Sequence, residues 1–155
     1  IWLGLVGSEM CIRDRLSPGP GIPSEAGDLM KVIDRYHSSK KMLGVCLGHQ
    51  ALGEYFGATL ELCPAAMHGK SIQMNIEKAS DLFEGLPKEI QIGRYHSWQL
   101  SPQDLPDTLS ITGQTSKEEV MAIQHKSLPL FGVQFHPESI LTPEGRKLIQ
   151  NWIKH

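Results

Sequence analysis

Met42-Leu43-Gly44-Val45-Cys46-Leu47-Gly48-His49-Gln50-Ala51-Leu52 is the stretch on which the reading of this 155-residue chain turns. Met42 to Cys46 is a short apolar run suited to a buried strand. From Gly48 a helix is predicted, with Ala51, Leu52, Tyr55 and Phe56 inward and Gly57 placed to stop it. Cys46 therefore stands between two glycines at a strand-to-helix junction, which is the nucleophile-elbow pattern with sulfur in place of a serine oxygen. So tight a turn brings side chains two residues away into neighbouring backbone, and glycine removes the collision. The predicted helix N-terminus carries partial positive charge, which favours a thiolate at Cys46. The N–H of Leu47 points towards the same spot and is a candidate oxyanion donor. Taken alone, the motif also fits a buried structural cysteine beside chance glycines.

Before the elbow, Leu29, Val32, Ile33 and Tyr36 recur at i, i+3, i+4, i+7, one face of a helix that ends at Ser38–Lys41. Helix, buried strand, helix is the grammar of an α/β sheet with covered faces. Ser17-Pro18-Gly19-Pro20-Gly21-Ile22-Pro23 is a rigid loop of turn residues. Its prolines stiffen it, and its glycines let backbone approach a ligand with N–H groups free to donate. It reads either as half of an oxyanion hole with a substrate wall or as a surface turn. Residues 1–15, IWLGLVGSEMCIRDR, stand apart. They read as a short buried strand (Ile1 to Val6) and a turn, or as a cloning or sequencing scar; the scar is preferred, leaving residues 16–155 as the domain.

Beyond the elbow the chain is richer in strands. Ala58–Leu62, Ser71–Glu77, Ile90–Leu100, Leu109–Thr112, Val120–Gln124 and Leu130–Phe135 all read as extended between Pro, Gly or Asp turns. Pro143 suits a helix N1 position behind Thr142 as N-cap, with Leu148, Ile149, Trp152 and Ile153 as the buried stripe. His136-Pro137-Glu138 follows the last strand. Residues i and i+2 of an extended chain share a face, so Glu138 could orient His136. A thiol nucleophile needs a base, and the base needs a group to fix its tautomer. An isolated H-P-E is more simply a solvated strand end; beside the cysteine elbow the catalytic reading is the stronger one.

Composition excludes several classes. A net charge of −2 with no basic run beyond Lys40-Lys41 gives no reason to expect a nucleic-acid partner. No stretch approaches the roughly eighteen apolar residues of a membrane span. Three cysteines at unpatterned spacing argue against a disulfide framework and for a reducing compartment, with the cytoplasm as default. Seven histidines and Cys46-x-x-His49 raise a metal site, but no second ligand pair has zinc spacing, and none is expected.

Taken together, SPGPGIP at 17–23, GVCLGHQ at 44–50, MHGK at 67–70, RYHS at 94–97 and FHPESILT at 135–142 resemble the class I (triad-type) glutamine amidotransferases. The likeness is strongest to component II of anthranilate synthase and of aminodeoxychorismate synthase. The resemblance implies an α/β fold with a doubly wound, mostly parallel sheet around a flavodoxin-like core, helices on both faces, and the first elements of the family domain missing. It implies Cys46 as nucleophile, His136 as general base and acid, and Glu138 as the carboxylate that orients it. Gly19, Pro20 and Gly21 would contact glutamine and supply an oxyanion donor, with the Leu47 N–H as the second. Gln50 would bind the amino-acid end of the substrate opposite Ser97 and Trp98, where Trp98 departs from the family's leucine. The implied partner is a chorismate-binding component I that receives ammonia. No cofactor is implied for the glutaminase step. A truncated, non-catalytic docking module is the alternative.

Overall fold

The computed structural model describes the backbone of residues 2–6 and 9–13, and residues 28–65 and 68–155 in full. The Ser17–Pro23 loop and Met67 of MHGK lie outside the described residues. The elements run β1 (Trp2–Val6), β2 (Glu9–Arg13), α1 (Leu29–Tyr36), β3 (Met42–Val45), α2 (Leu47–Tyr55), β4 (Leu60–Leu62), β5 (Lys70–Ile76), a 3-10 turn (Asp81–Phe83), β6 (Glu89–Arg94), β7 (Trp98–Leu100), β8 (Leu109–Gln114), β9 (Val120–His125), β10 (Leu130–Val133) and α3 (Gly145–Lys154).

The main sheet has the order β1-β2-β3-β10-β9-β8-β5-β6, and β4 pairs with β7 in a separate two-stranded sheet. Here the expectation of a doubly wound, mostly parallel sheet fails. Among the described strands only β2/β3 and β3/β10 are parallel. The pairs β1/β2, β10/β9, β9/β8, β8/β5 and β5/β6 are antiparallel. The reason lies in the connections. β8 turns into β9 through residues 115–119, and β9 into β10 through 126–129. A parallel neighbour needs a crossover of about a dozen residues or more, so turns this short permit only antiparallel pairing. Beside β3, β2 occupies the position of a parallel neighbour. An open strand edge pairs with any extended apolar segment whatever its origin.

The strands at the centre are buried throughout. Met42 and Leu130 side with α1 and α2, joining Leu29, Ile33, Ala51 and Leu52 in one apolar cluster. Leu43, Val45, Phe131 and Val133 join a second cluster closed by Leu82, Phe83, Leu148 and Trp152 from the 3-10 turn and α3. Alternation along Met42-Leu43 and Leu130-Phe131 feeds opposite faces, as the pleat requires.

Two local readings also change. The long strand read at Ile90–Leu100 is two: β6 stays in the main sheet, Tyr95–Ser97 turns away, and β7 pairs with β4. α3 begins at Gly145 behind Glu144, not at Pro143 behind Thr142. The Thr142 hydroxyl is engaged elsewhere: it accepts from the Gly93 N–H (2.9 Å) and donates to the His136 carbonyl (2.9 Å). On α3 the buried residues are Gly145, Leu148, Asn151 and Trp152, while Ile153 is exposed.

Candidate active site

The elbow forms where the sequence places it. Cys46 separates β3 from α2 with φ 54° and ψ −104°, a left-handed conformation that costs a non-glycine residue about 1–3 kcal/mol. Its N–H donates to the Val133 carbonyl at 2.9 Å, which fixes the bend to the neighbouring strand. A Cβ added at Gly44 would lie 2.4 Å from the Gly48 carbonyl oxygen and 2.7 Å from the His49 nitrogen, so the glycine is required by close approach. Leu47 opens α2 and is buried, as is Cys46 itself.

His136 reaches Cys46 from the end of β10. Its Nδ1 lies 3.0 Å from Glu138 Oε1. The two residues meet across a turn closed by the Ser139 N–H on the His136 carbonyl, not along extended chain as expected. Burial works against a charged imidazole, but hydrogen bonding and charge from Cys46 and from Glu138 outweigh it and push the His136 pKa up to about 10. The ring of Tyr95 meets the imidazole edge-on at 5.3 Å, and the Tyr95 hydroxyl sits 3.0 Å from Ser139 Oγ. A Cβ at Gly145 would strike the Pro137 carbonyl oxygen at 1.8 Å. The start of α3 is thus seated directly on the turn that carries the pair.

On the other side of the sulfur lies a buried polar cluster. Gln50, on α2, donates through Nε2 to the Trp98 carbonyl (2.7 Å) and to Gln134 Oε1 (3.1 Å). Gln134 Nε2 donates to Cys46 Sγ at 3.7 Å. His96 Nδ1 lies 2.9 Å from the same Trp98 carbonyl, and Arg94 Nε donates to His96 Nε2 at 3.1 Å. Arg94, fully buried, forks onto both oxygens of Glu119 at 3.0 and 3.1 Å. Burial, then the Arg94 charge, lowers the His96 pKa to about 4. His49, also fully buried, is lowered by burial to about 3. Ser97 is half-buried in the turn between β6 and β7, and its carbonyl accepts from the Cys63 N–H at 2.9 Å.

Cys46, His136, Glu138, Leu47, Gln50, Ser97 and Trp98 are therefore all placed by the described structure, the first three in one constellation. Gly19, Pro20 and Gly21 lie outside the described residues. Among the described residues no group of three His, Cys, Asp or Glu side chains could hold a metal ion. Gln134, Glu119, Thr142 and Gly145 went unread as site residues. Gln134 did carry a signal: a polar side chain in the otherwise apolar run Leu130–Phe135.

Comparison with known proteins shows the family. The chain belongs to the family described as "Glutamine amidotransferase class-I", whose sequence model matches residues 15–155. A Haemophilus influenzae protein provisionally assigned as anthranilate synthase component II is 46% identical over 89% of this chain and 72% of its own length. The aminodeoxychorismate/anthranilate synthase component 2 of Bacillus subtilis is 40% identical over 90% of this chain and 71% of its own. Against the Mycobacterium tuberculosis relative the chain spans 60% of the length. Among solved structures, a Thermoplasma acidophilum protein provisionally assigned to GMP synthase superposes with a TM-score of 0.76 at 28% identity, covering 84% of this chain and 63% of that one.

Proposed function

We propose that this chain hydrolyses glutamine as component II of an anthranilate synthase and delivers the ammonia to a chorismate-binding component I. The observation that carries the reading is the left-handed Cys46 with His136 held beside it by Glu138.

The geometry suits the chemistry. Cys46 sulfur attacks the side-chain carboxamide carbon of glutamine, forming a C–S bond and a tetrahedral oxyanion. The Leu47 N–H, at the start of α2, is the near oxyanion donor, with the Gly19-Pro20-Gly21 loop proposed to supply the other. With its pKa raised to about 10, His136 is protonated at neutral pH. It gives that proton to the departing nitrogen as the C–N bond breaks, which leaves a γ-glutamyl thioester and ammonia. His136 then takes a proton from water as it adds to the thioester, and glutamate leaves with return of the sulfur. Gln50, Ser97 and Trp98 are read as the segment that binds the amino-acid end of the substrate. No step calls for a metal or organic cofactor.

The domain is read as starting near residue 16, in line with a family match from residue 15. No described helix is long and apolar enough to cross a membrane; a cytoplasmic location is proposed from the cysteine pattern. Because the Bacillus subtilis relative carries both names, the aminodeoxychorismate branch is the second reading.

The test is reconstitution with each type of component I. Cys46→Ser should abolish glutamine-dependent synthesis and leave ammonia-dependent synthesis intact. Equal loss of both activities sinks the assignment. Binding to component I without glutamate release would favour the docking-module reading.

A further inference from the structure

The Trp98 carbonyl can only accept hydrogen bonds, and that one fact orients everything between it and the nucleophile. The Gln50 atom 2.7 Å from this carbonyl must be the amide nitrogen. That same nitrogen lies 3.1 Å from one terminal atom of Gln134, which must then be the oxygen, since two amide nitrogens would face each other without an acceptor. The Gln134 nitrogen is left facing Cys46 Sγ at 3.7 Å. Gln50 cannot flip without breaking its bond to the Trp98 carbonyl, and Gln134 cannot flip without losing its bond from Gln50.

The carbonyl itself is pinned from behind. Arg94 has only donors, so its Nε–H makes His96 Nε2 the acceptor and places the ring proton on Nδ1. Nδ1–H then donates to the Trp98 carbonyl at 2.9 Å. Arg94 in turn is locked by both Glu119 oxygens. Every member of this path except the carbonyl's own residue is buried to more than nine-tenths. With so little of the path exposed, these partners set the directions of the bonds.

We infer that Gln134 is a further catalytic residue, whose side-chain N–H, aimed by Gln50 and the Trp98 carbonyl, donates to the Cys46 sulfur and stabilises it as thiolate. The inference rests on the proposed role of Cys46 as nucleophile. The sulfur is thereby held between two donors of different kinds. His136 can exchange its proton during turnover, whereas the Gln134 amide cannot. The second bond therefore supports the sulfur as thiolate before it attacks the carboxamide and again when glutamate leaves and the sulfur is returned.

The experiment reads sulfur reactivity directly, in the full-length chain, by peptide-resolved mass spectrometry of iodoacetamide alkylation, with Cys63 as internal control. Gln134→Met keeps the side-chain length and removes the donor. Alkylation of Cys46 near pH 7 should fall about tenfold or more, the size expected for losing a hydrogen bond to a charged group. The deficit should close near pH 10, where thiolate forms without assistance, and Cys63 should be unaffected. Gln134→Glu, which presents an acceptor to the sulfur, should fall further at neutral pH. With component I added, Gln134→Met should lower kcat for glutamine and leave KM nearly unchanged. Wild-type alkylation at neutral pH in either folded variant overturns the proposal. So does a loss that persists at high pH or extends equally to Cys63. Because alkylation needs no glutamine, an intact chain that alkylates as expected but releases no glutamate with component I defeats the proposed function and leaves the contact standing.

Discussion

Gly44 and Gly48 face one another across the elbow so closely that a β-carbon on the first would sit 2.4 Å from the carbonyl oxygen of the second. The obstacle is backbone on the helix that starts at the nucleophile, not a side chain that could swing away. The bend that carries Cys46 can close this tightly because Gly44 lacks a side chain.

Gly44→Ala should therefore be costly for a single methyl group. Either β3 or the first turn of α2 must move, and both are buried between the two apolar clusters. A loss of about 2–4 kcal/mol in urea unfolding is expected, at the upper end for overpacking. Glutaminase activity should disappear even where the variant folds.

Glu138→Gln keeps the shape of the side chain and removes the charge beside His136 Nδ1. The His136 pKa should fall from its raised value, and kcat should drop by about 10- to 100-fold, less than the roughly 10²- to 10⁴-fold of a lost general acid–base group because His136 itself is kept. KM should change little, because Glu138 acts through the imidazole and its side chain is 42% exposed. A steady-state comparison of kcat and KM with component I present checks this; an unchanged kcat would remove Glu138 from the triad.

Thr142→Val should weaken the seat of His136 without touching its ring. The hydroxyl joins the Gly93 N–H to the His136 carbonyl, and valine leaves both groups without that partner in a buried place. About 1–3 kcal/mol of stability should be lost, together with a fall in kcat. Thr142→Ser, which keeps the oxygen, should recover most of both.

Acid should destabilise the fold through two buried histidines. His49 and His96 are held neutral with pKa values of about 3 and 4, whereas in the unfolded chain they bind protons near 6.5. Below 6.5 the unfolded state therefore binds more protons than the native one. Stability present above that pH is lost as pH falls, by up to about 1.4 kcal/mol per pH unit for each histidine. Glu119, whose carboxyl is lowered by Arg94 and Thr115 against the opposing effect of burial, adds to the loss further down. His136 works the other way: its raised pKa contributes stability below 6.5 that is lost as pH rises through about 10. Urea midpoints from pH 4 to 7 should slope upward, and His96→Gln should flatten the slope.

Much of the site was legible in the sequence because its geometry is local. The Gly44–Cys46–Gly48 bend spans five residues, and His136 and Glu138 stand two apart, so backbone geometry alone brings each set together. Even there the extended pairing assumed for His136 and Glu138 is a turn in the structure, because Ser139 and Thr142 draw the chain back on itself.

What the sequence alone determined was the chemistry: a sulfur at a sharp bend, an imidazole with its carboxylate, and the short turns that mark strand ends. What only the tertiary structure decided was which distant segments meet. The short turns make β8, β9 and β10 antiparallel to one another, but which strand lies beyond them, β3 beside β10 and β5 beside β8, depends on long-range pairing. The contact between Gln134 and Cys46 spans 88 residues of chain, and the fork between Arg94 and Glu119 spans 25. No periodicity couples such positions. Only the pairing of β10 beside β3 puts an amide against the sulfur.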